Sequence, residues 1–520
     1  MAKIYVNPLR HNVMIFDELI KLVSSDKAPD IRVDSRLVKA GDIFVAVEGA
    51  VYDGRDFIDQ ALANGAKYIV CQKNKSSIEY RASSIETIFV DDSSKAAAVL
   101  AQASIGNPAS KLTNLAVTGT NGKTTVAFLV RSCIQIAGQK CGLIGTIVYD
   151  TGAASFEASL TTPDCLTIAE KQSQMLKAGS KYMVIEASSH ALAQNRLAAI
   201  DFKAAAFTNL TGDHLDYHKT KKEYLAAKTK LFAALSPEAI AVLNKQSSEA
   251  ELIAKHTKAR ILWYAIEEQA DITAHIESMD VNETVFTLEY AGQSSLVSPP
   301  SSLVSSPSSL VPRPSSIVRT PLLGLHNVSN HLAAAGLCLA AGFDLETIAG
   351  GLSALQGVPG RLEKVDWNGD FTVLVDYAHT DDALKNVLST LKPLCKGSLK
   401  VVFGCGGDRD RTKRPRMAKV VEQLADFVIV TSDNPRTEKP QAIINEIVAG
   451  FERTTHHARR TTKIIEPDRR KAIELAIKSA DKDDIVLIAG KGHENYQIIG
   501  KQKFPFSDKT IARECLAKRK

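Results

Sequence analysis

Short apolar runs recur along the chain, separated by longer stretches in which apolar positions return every three or four residues. Leu115-Ala116-Val117, Tyr182 to Ile185, Ala204 to Phe207 and Ile240 to Leu243 are runs of the first kind, as are Thr372 to Val375, Lys400 to Phe403, Phe427 to Val430 and Ile485 to Ala489. Such runs, bounded by turn residues, read as buried strands. Their alternation with helix-length periodic segments predicts an α/β chain of mostly parallel sheets, with sites at the strand carboxyl ends. Before residue 105, the runs Ile43 to Val47, Tyr68 to Val70 and Ile88 to Val90, with helical periodicity at Phe57 to Ala63, predict a smaller α/β body. A length of 520 residues suggests about three domains, expected at 1–108, 109–356 and 357–520.

One segment breaks the pattern. Residues 294–321 are four tandem seven-residue units, each starting Ser-Ser-(Leu/Ile)-Val and ending in proline. Proline in every unit forbids a continuous helix. The expectation is an extended, mobile surface loop whose removal changes little, with a docking segment for a partner as the alternative.

Composition narrows the class. An apolar content of 45% with 23% charged residues is that of a globular protein, and the net charge of +6 is spread along the chain. That spread argues for anionic small substrates and not for nucleic acid. Eight scattered cysteines form no CxxC pair, and no apolar run reaches 18 residues. Both point to a cytoplasmic protein with no membrane partner.

The densest chemistry lies at Leu115 to Thr125, where a strand runs into Gly119-Thr120-Asn121-Gly122-Lys123-Thr124-Thr125 and then a helix. Glycines let backbone amides approach phosphates, Lys123 neutralises charge, and Thr124 offers a hydroxyl to Mg²⁺. Val117 stands where the strict pattern has glycine, and a tight turn without nucleotide is the competing reading. Glu186, in Ile185 to His190, ends another strand and suits a metal ligand or, alternatively, a helix cap. Phe207 to His218 carries two histidines and two aspartates, followed by Tyr224 to Lys228. Four further polar loops follow strands: Asp376 to Thr380, Gly404 to Arg411, Ser432 to Arg436 and Gly490 to Glu494. Arginines on two of them suit a carboxylate ligand, because the guanidinium fork pairs with carboxylates bidentately.

Together these motifs, with Asn327 to Asn330 and Gly360-Arg361, resemble the Mur ligase family, ATP-dependent amide-forming enzymes of peptidoglycan synthesis. The likeness covers nearly the whole chain apart from 294–321. It implies a small N-terminal UDP-binding α/β domain, a central P-loop ATPase-type parallel-sheet domain and a C-terminal Rossmann-like domain. Asp34-Ser35-Arg36 is similar to the branch that adds the third peptide residue, and Asp433-Asn434-Pro435-Arg436 to the version that takes meso-diaminopimelate. The far carboxylate of that amino acid can pair with an arginine, which would repel the ammonium of L-lysine.

The resemblance implies that ATP phosphorylates the D-glutamate side-chain carboxylate of a UDP-N-acetylmuramoyl dipeptide, and that the amine then displaces phosphate. Lys123, Glu186, His214 and Lys228 would be catalytic. Gly119, Thr120, Asn121, Gly122, Lys123, Thr124, Thr125, Asn327, Arg361, Asp376 and His379 would hold ATP. Val33, Ser35, Thr161, Thr162, Ser188, Gln194 and Arg196 would meet the UDP-sugar peptide, and Arg409, Asp433, Asn434, Pro435, Arg436, Gly490 and Glu494 the diaminopimelate. Thr124 and Glu186 would serve one Mg²⁺, His214 and a carbamylated Lys228 a second. The partners expected are small molecules, with the protein a monomer.

Leu160, Asp381, His326 and Ala50-Val51-Tyr52 depart from the family's usual residues. Three rivals remain: a folylpolyglutamate synthase, usually with Gly-Lys-Gly-Ser in place of Gly122-Lys123-Thr124-Thr125; the lysine-adding sister enzyme; and a non-catalytic interaction module.

Overall fold

Residues buried on both faces of a sheet are mostly apolar, and strands such as Ile43–Ala46, Cys141–Ile144 and Ile485–Ala489 follow that rule. The computed structural model describes residues 14–25, 28–49, 52–73, 86–211, 215–292, 313–451 and 461–519. Its contacts divide it into two compact units, one made of Met1–Asn114, Lys140–Ile144 and Val148–Phe202, the other of Leu115–Gln139, Gly145–Ile147 and Lys203–Lys520.

The first unit opens with a parallel sheet in the order Ile31–Arg32, Ile43–Ala46, Tyr68–Gln72, Glu86–Val90. Ile43, Val45 and Val70 face Leu19 and Leu100 of two helices, while Phe44, Ala46 and Ile69 face Ile58 and Ala61 on the other side. Further strands, Cys141–Ile144 and Tyr182–Glu186, pair in parallel. Helix Cys165–Lys177 starts at Asp164, whose carboxylate accepts from the amides of Leu166 and Thr167. A buried chain of amides, Gln102 to Gln172 at 2.6 Å and Gln172 to Asn114 at 3.3 Å, satisfies its own polar atoms.

The second unit holds two larger assemblies. In one, the strands Thr113–Thr118 (from Leu115) and Phe202–Phe207 (from Lys203), with Ile240–Asn244, Arg260–Ile266 and Ile272–Met279, lie side by side, followed by Thr284–Tyr290 and Ser315–Thr320 in antiparallel pairing. In the other, the order is Glu363–Lys364, Thr372–Asp376, Ile485–Ala489, Leu399–Phe403, Phe427–Val430, Thr462–Ile465, parallel after the first strand. Register sets Asp376 beside Ala489, Val402 beside Ile488 and Phe403 beside Val430. The loops after these four strands therefore leave the sheet at one edge, where parallel sheets place ligands.

The repeat needs a correction. Its last unit is not loop: Ser315–Thr320 is a strand paired with Thr284–Tyr290, Val318 opposite Phe286. Val318 and Thr320 are buried, and the Thr320 hydroxyl meets Nε2 of His331 at 3.2 Å. Alternation decides this: of Ser-Ser-Ile-Val-Arg-Thr, only every second residue has to face the core. Residues 294–312, and with them most of the expected loop, lie outside the described residues.

His331 is itself fully buried, its Nδ1–H donating to the carbonyl of Asn327 at 2.6 Å. Burial pushes its pKa down to about 4, so the imidazole stays neutral in the fold. Among the described residues no helix is long and apolar enough to cross a membrane.

Two outcomes are expected. Deleting 294–312 should leave the melting temperature within about 2 °C, since loop length costs little. Deleting 294–321, or introducing Val318→Asp, should destabilise by about 3 kcal/mol or more, because a buried strand position is lost or charged. Equal melting temperatures for both deletions would show that the strand pairing contributes nothing. The second outcome concerns pH. Unfolded His331 binds a proton below its ordinary value near 6.5 while the folded one resists until about 4. Stability from this group should thus be full above 6.5 and fall as pH drops towards 4, and His331→Asn should flatten that part of the thermal-denaturation profile.

Candidate active site

The turn after Thr113–Thr118 is shaped by two glycines at positive φ, Gly119 at 151° and Gly122 at 91°. A Cβ at Gly119 would stand 1.9 Å from the Thr208 hydroxyl, and one at Gly122 would stand 2.2 Å from Asn330 Oδ1. Only glycine permits this approach. The neighbouring strand end then holds the turn: the Thr208 hydroxyl donates to Asn121 O at 2.6 Å, and Thr120 N and Asn121 N donate to Asn209 O and Oδ1 at 2.9 and 3.0 Å. Helix Lys123–Ile136 begins directly at Gly122, so the positive end of its dipole lies at the turn. The Lys123 ammonium donates to Gly119 O and Thr120 O at 3.0 and 2.8 Å.

Lys228 is buried, donates to Gly119 O at 2.8 Å and lies 4.4 Å from the Tyr224 ring centroid. Helix Lys221–Ala233 carries both residues four apart, hence on one face. His214 lies outside the described residues. Asn327 and Asn330, three apart on helix Leu325–Ala340, bond to each other at 3.1 Å. Arg361 Nη2 reaches the Thr124 hydroxyl at 3.4 Å, and its guanidinium stacks 4.8 Å over Tyr377. Asp376 accepts from the amides of Leu362 and Ala378, both at 2.7 Å, so in this structure it organises the two loops that carry Arg361 and His379. Burial raises its pKa against the opposing pull of Arg361.

The first unit brings a different group together. Thr162 donates to Glu186 O at 2.6 Å and accepts from Ser188 N at 3.0 Å. Arg196 donates to Thr162 O at 2.7 Å and, through Nε and Nη2, to Gln194 Oε1. Thr161 is half-buried beside Thr162, and Ser35 bonds to Gln60 in the smaller sheet's body, with Val33 exposed nearby in sequence. The Glu186 carboxylate is fully buried.

At the C-terminal sheet edge, Gly407 packs on Pro435, so a Cβ there would stand 2.0 Å from Pro435 O. Arg436 is held at φ 50°, a left-handed conformation costly for a side-chain residue. Its Nη1 donates to Gly407 O at 2.8 Å. Arg414 lies between Glu438 and Glu446, and Arg411 pairs with Glu446. Arg436 and the exposed Arg409, by contrast, make no ion pair with a described carboxylate, Arg409 donating only to Asp408 O at 3.0 Å. Asn434 donates to Glu494 at 2.8 Å, while Gly490, at φ 117°, lies 3.6 Å by its would-be Cβ from the Asp433 carboxylate.

Thr208, Asn330, Tyr377 and Lys491 lie in segments that the sequence singles out, but none of the four is given a role there. As metal donors, the Thr124 hydroxyl and the Glu186 carboxylate are hard oxygens of the kind Mg²⁺ takes, and Mg²⁺ commonly needs only one or two protein ligands beside phosphate oxygens. An ammonium such as that of Lys228 cannot ligate.

Three sequence models of Mur ligase domains match this chain: the catalytic domain over residues 30–104, the middle domain over 117–338 and the glutamate ligase domain over 360–492. The UDP-N-acetylmuramoyl-L-alanyl-D-glutamate--2,6-diaminopimelate ligase of Geobacillus kaustophilus is 41% identical over 500 residues, covering 94% of this chain and 96% of the relative. The ligase of the same name from Gloeobacter violaceus is 42% identical over 498 residues, 95% of each chain. A solved structure of a ligase of that name superposes with a TM-score of 0.63 at 32% identity, covering 94% of this chain and 95% of that one. MurF ligase from Thermotoga maritima, solved with ADP, shares the fold at 18% identity and a TM-score of 0.57, covering 96% and 99%. With end-to-end likeness of this kind, and a glycine turn, buried lysine and arginine loops in the places described, the chain belongs to the Mur ligase family.

Proposed function

We propose that this protein uses ATP to join diaminopimelate to the D-glutamate of UDP-N-acetylmuramoyl-L-alanyl-D-glutamate, a step in peptidoglycan precursor synthesis in the cytoplasm. One observation carries the choice of amino acid. Arg436 is held in a strained backbone at a strand end with Asp433 and Asn434, and among the described residues its guanidinium has no carboxylate to pair with. A second carboxylate on the amino acid supplies that partner, whereas an L-lysine side chain ends in a cation. Folylpolyglutamate synthase is similar in fold, at 18% identity, covering 75% of this chain.

The amides after Gly119 and the Lys123 ammonium meet the ATP phosphates, with Arg361 beside Thr124 adding a cation where charge builds on the transferred group. Asn327, Asp376 and His379 line the nucleotide side; Val33, Ser35, Thr161, Thr162, Ser188, Gln194 and Arg196 take the UDP-sugar peptide. Thr124, Glu186, His214 and Lys228, the last as its carbamate, are the residues we assign to Mg²⁺, which when bound neutralises phosphate charge. The substrate carboxylate attacks the γ-phosphorus, ADP leaves, and the resulting acyl phosphate is open to the amine. Arg409, Arg436, Asp433, Asn434, Pro435, Gly490 and Glu494 orient diaminopimelate so that its free amine attacks the acyl carbon and phosphate departs.

Purified protein given ATP, Mg²⁺ and the UDP-muramoyl dipeptide should release phosphate with meso-diaminopimelate and not with L-lysine. Turnover with lysine would overturn the role of Arg436 and keep the ligase; silence with both would favour a non-catalytic module. Arg436→Ala should raise KM for diaminopimelate by about 10- to 100-fold, the worth of a charge-assisted pair, and leave KM for ATP nearly unchanged. Equal shifts in both constants would sink this assignment.

A further inference from the structure

Lys491 is completely buried, yet its ammonium reaches three polar side chains of the amino-acid loops. It stands 3.0 Å from Asn434 Oδ1, 3.2 Å from Glu494 Oε2 and 3.5 Å from Asp433 Oδ1. Asn434 is thereby fixed at both ends of its amide. Its Oδ1 accepts from Lys491 and from Ile498 N at 2.9 Å, which leaves Nδ2 to donate to Glu494 Oε2 at 2.8 Å. Asp433 is held as well, its carbonyl accepting from Gln497 Nε2 at 2.6 Å.

Charge explains why a cation stands there. Asp433 and Glu494 come from loops after different strands, and without a cation between them two partly buried carboxylates would repel. Arg469, the other buried cation here, is committed elsewhere: it pairs with the fully buried Asp508 at 2.7 Å and donates to Ala489 O at 2.9 Å. Two carboxylates thus face the single Lys491 ammonium, which suits a ligand bearing an ammonium beside its carboxylate.

We infer that Lys491 is a positioning residue for the amino-acid substrate: a buried ammonium that sets the spacing of Asp433 and Glu494 and the orientation of the Asn434 amide, without touching the substrate. The inference rests on the reading that these loops hold diaminopimelate. A lysine that only stabilised the fold would affect all substrates alike, whereas a positioning residue acts on one.

The test is steady-state kinetics of Lys491→Met with each substrate varied in turn, alongside Arg436→Ala and the unchanged protein. Lys491→Met should raise KM for diaminopimelate by about 10- to 100-fold, with KM for ATP and for the UDP-muramoyl dipeptide within about two-fold. The rise in melting temperature on adding diaminopimelate should vanish, while the rise on adding ADP and Mg²⁺ persists. If the methionine variant does not fold, Lys491→Gln, which keeps one donor for Asn434, should give the same split. An unchanged KM for diaminopimelate, a uniform loss across all three substrates, or failure of both variants to fold would each overturn the inference. If Arg436→Ala shifts the constant and the Lys491 variants do not, only the role of Lys491 falls. If neither shifts it, the assignment of the loops to diaminopimelate falls too.

Discussion

Close backbone approach at two glycines is the constraint on which the site depends. At Gly119 the end of the neighbouring strand comes within contact of the turn, and at Gly122 the Asn330 side chain does the same. Neither approach leaves room for a Cβ. Through them the turn is tied to the loop carrying Thr208 and Asn209 and to helix Leu325–Ala340, while Lys228 ties it to helix Lys221–Ala233. Three distant stretches of chain thus converge on one turn of seven residues. The turn stands at the start of helix Lys123–Ile136, where the helix dipole favours an anion.

Buried charge is handled in two ways, and the difference separates scaffold from site. Arg469 with Asp508, Lys400 with Asp484, and Arg414 with Glu438 and Glu446 are closed sets in which each cation finds its anion inside the fold. Hydrogen bonds from Arg414 hold the Glu438 carboxyl down at about 2, well below the usual range. Arg409 and Arg436 are open sets, placed on loops next to these closed ones but without an ion pair to any described carboxylate. Their guanidinium groups are thereby left available to a carboxylate ligand.

The serine–proline repeat shows how far a local pattern can mislead. Its four units look alike in sequence, and proline in each argues against helix for all of them. The last one pairs with the strand Thr284–Tyr290, and there Val318 and Thr320 turn inward. That pairing is set by a neighbour in space, which no property of the unit itself announces.

Much of this protein was legible from the order of its residues. Buried strands of parallel sheets are largely apolar, so the runs Tyr182–Glu186, Leu399–Phe403 and Ile485–Ala489 declare themselves in spite of Glu186 and Lys400, and the polar loops at their ends mark where ligands gather. The glycine turn with Lys123 and Thr124, and the arginine loops, were readable for the same reason: each is a contiguous segment whose chemistry is local. Tertiary structure alone decided which groups face one another. Lys491 resembles any lysine in a glycine-rich loop until Asp433, Asn434 and Glu494 close around it. Asp376 gives no local sign that its carboxylate will accept from the amides of Leu362 and Ala378 and so join two loops. Hydrogen bonds and ion pairs act over about 3 Å in space and ignore separation along the chain. Local composition therefore determines which elements form, while the packing of those elements determines which charges are spent on the fold and which remain for the substrate.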